Sequence, residues 1–176
     1  MITGGKTSAG RTSDSCFLPG SDDLVSDIKL RAAKFMRGLQ FDGLEAVQLV
    51  RYTANQTINL HYDWYQGTPP LDRNHKPYNR LASFFIYLQA DCEGGETWFP
   101  NVTVERSVAG QDTNEKLALQ VSENGKGFTM RARPGSGLFW MNMQDNIGDR
   151  RVLHAGLPVQ TGTKIGMNIW VKKNLV

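Results

Sequence analysis

Cysteine, histidine and long apolar runs are all scarce in this chain, and each scarcity excludes a class of protein. The two cysteines, Cys16 and Cys92, lie far apart and lack CxxC spacing, so neither a thiolate zinc site nor a disulfide framework is indicated. No apolar stretch approaches the roughly 20 residues that span a bilayer. The opening MITGGKTSAGRTSDS lacks the apolar stretch of a secretory signal. A soluble protein is expected, cytoplasmic or, if an upstream signal has been removed, of the endoplasmic reticulum lumen. Basic clusters are missing too. The 20 Lys and Arg residues against 17 Asp and Glu leave a net charge of +3, scattered along the chain, so nucleic acid is not an expected partner.

A chain of 176 residues with 40% hydrophobic side chains suffices for one domain with one sizeable core. Residues 1–20, rich in Gly, Ser and Thr, read as a mobile arm. Residues 22–38 place Leu24, Val25, Ile28, Ala32, Phe35 and Met36 at helical spacing, with acids first, bases later and Gly38 at the end. Short segments rich in β-branched and aromatic residues follow at 45–53, 56–62, 81–89, 96–98, 127–133, 137–142, 151–154 and 163–172. Many short strands behind one helix predict a mainly β fold, an antiparallel sandwich or barrel of which the jelly roll, or double-stranded β-helix, is one version. The polar stretches 66–79 and 101–126 read as surface loops. No internal repeat or second domain is visible.

The chemistry sits among the few histidines. His61 and Asp63, two residues apart in a predicted strand, point to the same face with Cα atoms about 7 Å apart. A second histidine, His154, follows RRVL in another predicted strand. Two imidazoles and one carboxylate form a facial set that leaves positions open on an octahedral ion, which suits oxygen chemistry at iron(II). Zinc fits such ligands too. Lys164 stands ten residues after His154, across GLPVQTG, where a hairpin would carry a cation to the metal. His75, within loop 66–79, is given no role.

In order along the chain, RTSDSCFL (11–18), EAVQLVRY (45–52), HYD (61–63), RLASFFIYL (80–88), GGETWFP (94–100), RPGSGLFW (133–140), LHAGLPVQTGTK (153–164) and NIW (168–170) closely resemble the catalytic domain of prolyl 4-hydroxylases. The resemblance implies an iron(II)- and 2-oxoglutarate-dependent dioxygenase using O2, with ascorbate as an accompanying reductant. It implies iron ligation by His61, Asp63 and His154, and pairing of Lys164 with the cosubstrate carboxylate. By the same resemblance Tyr52 contacts the cosubstrate, Thr97 assists, Trp170 walls the pocket and Arg80 contacts substrate, expected to be a peptide or protein.

Two departures bear on substrate. Ile58 stands where the family usually has an aromatic residue, and Ser15 stands in RTSDSCFL where glycine is common. The first leaves open a related oxygenase acting on another residue or a small metabolite. A reading of another class is a non-catalytic jelly-roll binding module. Family members usually carry further structure before RTS, so the chain reads as a core fragment or a shortened relative.

Overall fold

The computed structural model describes residues 10, 12–104, 118–123 and 125–175; the predicted arm and the 101–126 loop fall partly outside them. The predicted helix forms as α1, Asp23–Phe35, with Asp22 as N-cap. Its Oδ1 accepts from the backbone N–H groups of Leu24 at 2.9 Å and Val25 at 3.3 Å, a cap that contributes about 1 kcal/mol. Val25 and Ala32, and Met36 just beyond, turn inward. Leu24 and Phe35 sit beside that stripe and stay 67% and 66% exposed.

Strands numbered along the chain form two five-stranded antiparallel sheets. The larger has β1 (Asp14–Phe17), β2 (Gln48–Thr53), β12 (Val159–Asn174), β4 (Tyr78–Gly94) and β8 (Gly137–Met141) side by side in that order. The smaller has β3 (Ile58–His61), β11 (His154–Gly156), β5 (Thr97–Thr103), β7 (Lys126–Met130) and β6 (Leu119–Val121). A small ribbon of β9 (Met143–Gln144) and β10 (Ile147–Gly148) lies apart. The chain crosses repeatedly between the sheets, at β2 to β3, β3 to β4, β4 to β5, β7 to β8 and β11 to β12, as the predicted jelly roll requires.

Strand alternation divides the core. On β4 and β12 the residues Ala82, Phe84, Met167, Ile169 and Val171 face outward and pack with Val25, Ala32 and Met36 of α1. The alternate residues Phe85 and Tyr87 join Val50, Tyr52, Met130 and Val159 in a second cluster. Ser83, Lys164 and Trp170 share this inner alternation, so the same two strands carry a hydrophobic layer on one side and the site on the other.

Several local expectations are corrected. Residues 14–17 of the predicted arm pair with β2, Asp14 opposite Arg51 and Phe17 opposite Gln48. Backbone hydrogen bonding to a neighbour outweighs the turn-rich composition around them. The segment read as a strand at 151–154 is a 3-10 turn, Arg150–Val152, capped by Asp149, so His154 begins its strand rather than ending one. β3 closes at His61, leaving Asp63 in the bend beyond it. Nor do residues 155–163 make a hairpin: β11 and β12 lie in different sheets, and the chain crosses between them. Leu119–Val121 within the predicted 101–126 loop pairs with β7.

The crossing from β4 to β5 turns on Gly94 and Gly95, with φ of 72° and 73°. A Cβ on Gly94 would lie 2.6 Å from the carbonyl oxygen of Pro158, so both backbone hand and close approach demand glycine. Gly94→Ala is expected to lower unfolding free energy by about 2 kcal/mol or more, measured by urea denaturation. An unchanged midpoint would contradict this packing of the turn.

Candidate active site

His61 at the end of β3 and His154 at the start of β11 are register partners, with ring centroids 4.3 Å apart. Each imidazole Nδ1 is 2.8–2.9 Å from a backbone carbonyl, of Asn59 for His61 and Val152 for His154. An Nδ1–H donating there leaves Nε2 with its lone pair free for a ligand. Both Nε2 atoms face Asp63 Oδ1, at 3.8 Å from His61 and 4.0 Å from His154. The three donor atoms lie within 4.8 Å of one another. Among the described residues this is the one group of three or more such side chains, and nitrogen and oxygen donors on one side suit a divalent transition metal.

Electrostatics favour the ligand forms. Burial by itself raises Asp63, but the imidazoles of His154 and His61, the Ser83 hydroxyl and Arg80 outweigh it and hold the carboxyl below its ordinary value. Burial pushes His154 below the ordinary histidine value, against the pull of Asp63 and with the help of His61. A carboxylate and a neutral imidazole are the states that bind metal.

Between the sheets, beside the triad, lies a cavity of about 60 Å³ lined by residues that include Tyr52, Ile58, Thr97, Lys164 and Trp170. Lys164 is 1% exposed. Its Nζ donates to the Gly95 carbonyl at 2.5 Å and sits 4.5 Å from the Tyr52 ring centroid, yet no salt bridge reaches it among the described residues. Burial pushes its pKa down to about 8, opposed by Cys92 and Glu96. A buried ammonium without a carboxylate against it is costly, and an anion entering the cavity would relieve that cost. The indole N–H of Trp170 is likewise buried without an acceptor among the described residues. The donor set therefore fits both parts of a metal and small-acid pair.

The predicted positions Tyr52, Thr97, Lys164 and Trp170 thus come together with the triad. Thr97 is held through a hydroxyl contact of 2.7 Å with Tyr87, whose buried OH also donates to the Met130 carbonyl. Sequence reasoning missed Tyr87, and with it Ser83 and Asn142 behind Asp63. The signal was present in LASFFIYL, where Ser83 and Tyr87 are the polar-tipped residues of an apolar strand. Phe99 stacks on His154 and Trp140 meets it edge-on.

Arg80 is tied into the wall: its guanidinium makes two 2.8 Å bonds to the Glu45 carboxylate, lies 3.6 Å over the Trp170 ring and reaches the Asp63 carbonyl at 3.4 Å. Its fork and flat face are taken up in bracing the pocket wall. His75 lies exposed in its loop at φ 58°, away from the triad group.

Comparison with known proteins agrees with this geometry. A family model described as the 2OG-Fe(II) oxygenase superfamily matches residues 47–172. Probable prolyl 4-hydroxylase 6 of Arabidopsis thaliana is 29% identical over 174 residues, 94% of this chain and 57% of that protein. Prolyl 4-hydroxylase 1 of the same plant is 30% identical over 167 residues, covering 93% of this chain and 54% of that protein. The chain therefore spans about half the length of the curated relatives it matches. Among solved structures, the viral collagen prolyl hydroxylase of Paramecium Bursaria Chlorella virus-1, in its 2OG complex, superposes with TM-score 0.67 at 24% identity, over 93% of this chain and 80% of that one. Among the described residues, no helix is long and apolar enough to cross a membrane.

The depressed Lys164 pKa carries a sign. Between about 8 in the folded state and 10.5 when unfolded, the unfolded chain binds the extra proton, so this residue makes stability rise with pH across that window. Below it, the buried charge is a standing cost. Lys164→Met, of similar length and uncharged, is expected to raise unfolding free energy at pH 7 by roughly 2 kcal/mol while weakening binding of 2-oxoglutarate. Urea denaturation and calorimetric titration check the two halves; a variant less stable than the parent would show that Lys164 is not a buried, unrelieved charge.

Proposed function

Since the chain belongs to the 2OG-Fe(II) oxygenase superfamily, we propose that it is an iron(II)- and 2-oxoglutarate-dependent dioxygenase that hydroxylates a prolyl residue of a peptide or protein. His61, Asp63 and His154 hold the iron. Lys164 takes the distal carboxylate of 2-oxoglutarate, with Tyr52 and Thr97 beside it and Trp170 as the wall. Iron(II), when bound, would activate O2, the oxidant, and 2-oxoglutarate would supply two of the electrons that reduce it, so that an unactivated C–H bond comes within reach. The chain's own residues position and shield. Phe99 and Trp140 exclude water from one side of His154, and Arg80 holds Trp170 in place. His61, whose side chain is 31% exposed, marks the face from which substrate arrives.

The single observation that carries this reading is the buried Lys164 ammonium, without an ion-pair partner among the described residues, in one cavity with the His-Asp-His group. A structural metal site in a binding module needs no such cation. Prolyl substrate is supported by the names of the relatives, which are prolyl 4-hydroxylases. Ile58 in the cavity lining supports the second reading, a related oxygenase acting on another residue or a small metabolite, because it presents hydrocarbon where the resembled family presents an aromatic ring.

Anaerobic titration with iron(II) and 2-oxoglutarate is expected to give the weak visible charge-transfer band of the chelate, absent in His154→Ala and weakened in Lys164→Ala. Absence of the band in a protein that takes up no iron would sink the oxygenase reading and favour the binding module. Succinate formation dependent on proline-containing peptides, against free amino acids as competitors, then separates the two substrate classes.

A further inference from the structure

Asp63 is not free to choose how it meets a metal. Its Oδ1 faces both imidazole Nε2 atoms, while its Oδ2 accepts a 2.6 Å hydrogen bond from the Ser83 hydroxyl. Ser83 is fully buried on the inner side of β4. A carboxylate can only accept, so the Ser83 proton points at Asp63 and the Ser83 oxygen is left as acceptor. Asn142, also fully buried, fills that role with its Nδ2 at 2.8 Å. The direction of the chain of bonds is therefore set: Asn142 donates to Ser83, and Ser83 donates to Asp63.

Asn142 is itself clamped. Its backbone N–H donates to the Leu81 carbonyl and its own carbonyl accepts from the Asp149 N–H, both at 2.8 Å. Its side-chain oxygen is buried without a partner among the described residues. Leaving that acceptor unpaired costs about 1–3 kcal/mol, so an apolar residue of similar size would make a cheaper core. The amide is explained by the donor it presents to Ser83.

We propose that Ser83, oriented by Asn142, is a positioning residue that confines Asp63 to one-oxygen ligation, holding Oδ2 away from the metal so that the coordination position it would take stays open for the cosubstrate. This rests on the metal assignment above. With the Ser83 hydroxyl removed, Oδ2 loses its donor and the carboxylate rotates to offer both oxygens. The two-oxygen form competes with 2-oxoglutarate for the same ion, which a merely structural hydroxyl would not do.

The test uses cobalt(II) in place of iron, so that no turnover is needed. The dissociation constants of cobalt, and of 2-oxoglutarate at saturating cobalt, are measured for the parent, Ser83→Ala, Ser83→Thr and Asn142→Ala, with melting curves establishing that each is folded. Ser83→Ala is expected to keep cobalt and bind 2-oxoglutarate tenfold or more weakly. Ser83→Thr, which retains the hydroxyl, is expected near the parent, and Asn142→Ala in between. A folded Ser83→Ala that loses cobalt altogether overturns the inference, because a carboxylate freed to offer both oxygens would hold the ion at least as well as the parent. Ser83→Ala binding both cobalt and 2-oxoglutarate within twofold of the parent overturns the inference and leaves the metal assignment standing. Failure of the parent itself to bind cobalt overturns the metal assignment instead, and this inference with it.

Discussion

Two opposite charges are buried between the sheets and do not neutralise each other. Asp63 is flanked by two imidazoles and a hydroxyl, while Lys164 rests against a carbonyl and an aromatic ring. Were they paired, each would lose most of its desolvation cost and the cavity would have nothing to attract a ligand. Keeping them apart holds the interior in a strained electrostatic state that a cation on one side and an acid on the other relieve together. The rest of the structure makes this tolerable.

That tolerance comes from strands whose two faces do different work. Outward residues of β4 and β12 are continuous hydrocarbon under α1, and burial of such side chains contributes about 1.5–3 kcal/mol each. The inner residues of the same strands include Ser83, Lys164 and Trp170, which are poor core formers by themselves. The apolar layer stabilises the strands that hold the charges in place. On the opposite sheet, the imidazoles are fixed by backbone carbonyls from their own chain neighbourhood, so the triad is oriented before any metal arrives. Arg80 and Glu45 close the remaining side as a partly buried ion pair braced on Trp170.

Much of this was legible beforehand because it follows period-two alternation and residue chemistry. Asp22, the apolar spacing after it and Gly38 mark α1. The triad, Lys164, Tyr52, Thr97 and Trp170 carry chemistry in their side chains and recur in the motifs of a known family. What escaped the sequence reading has a common cause. β1 lies within a turn-rich segment and gains its conformation from hydrogen bonds to β2 more than thirty residues away. The supposed hairpin between His154 and Lys164 has turn formers at suitable places, and local chemistry does not distinguish a turn within one sheet from a crossing between two. Arg80 reads as a free cation until Glu45, distant in sequence, is brought against it.

The sequence by itself determined the fold class and the helix, which depend on residue type and short-range spacing, and its family motifs singled out His61, Asp63, His154 and Lys164 as candidates. Only the tertiary structure decided which oxygen of Asp63 is available, that Tyr87 backs Thr97, that Arg80 is occupied, and that Lys164 is left without an ion-pair partner among the described residues. Those properties depend on which polar atoms remain unpaired after the two sheets close over them. Pairing of that kind is settled by contacts between residues far apart along the chain, to which local propensity and spacing are blind.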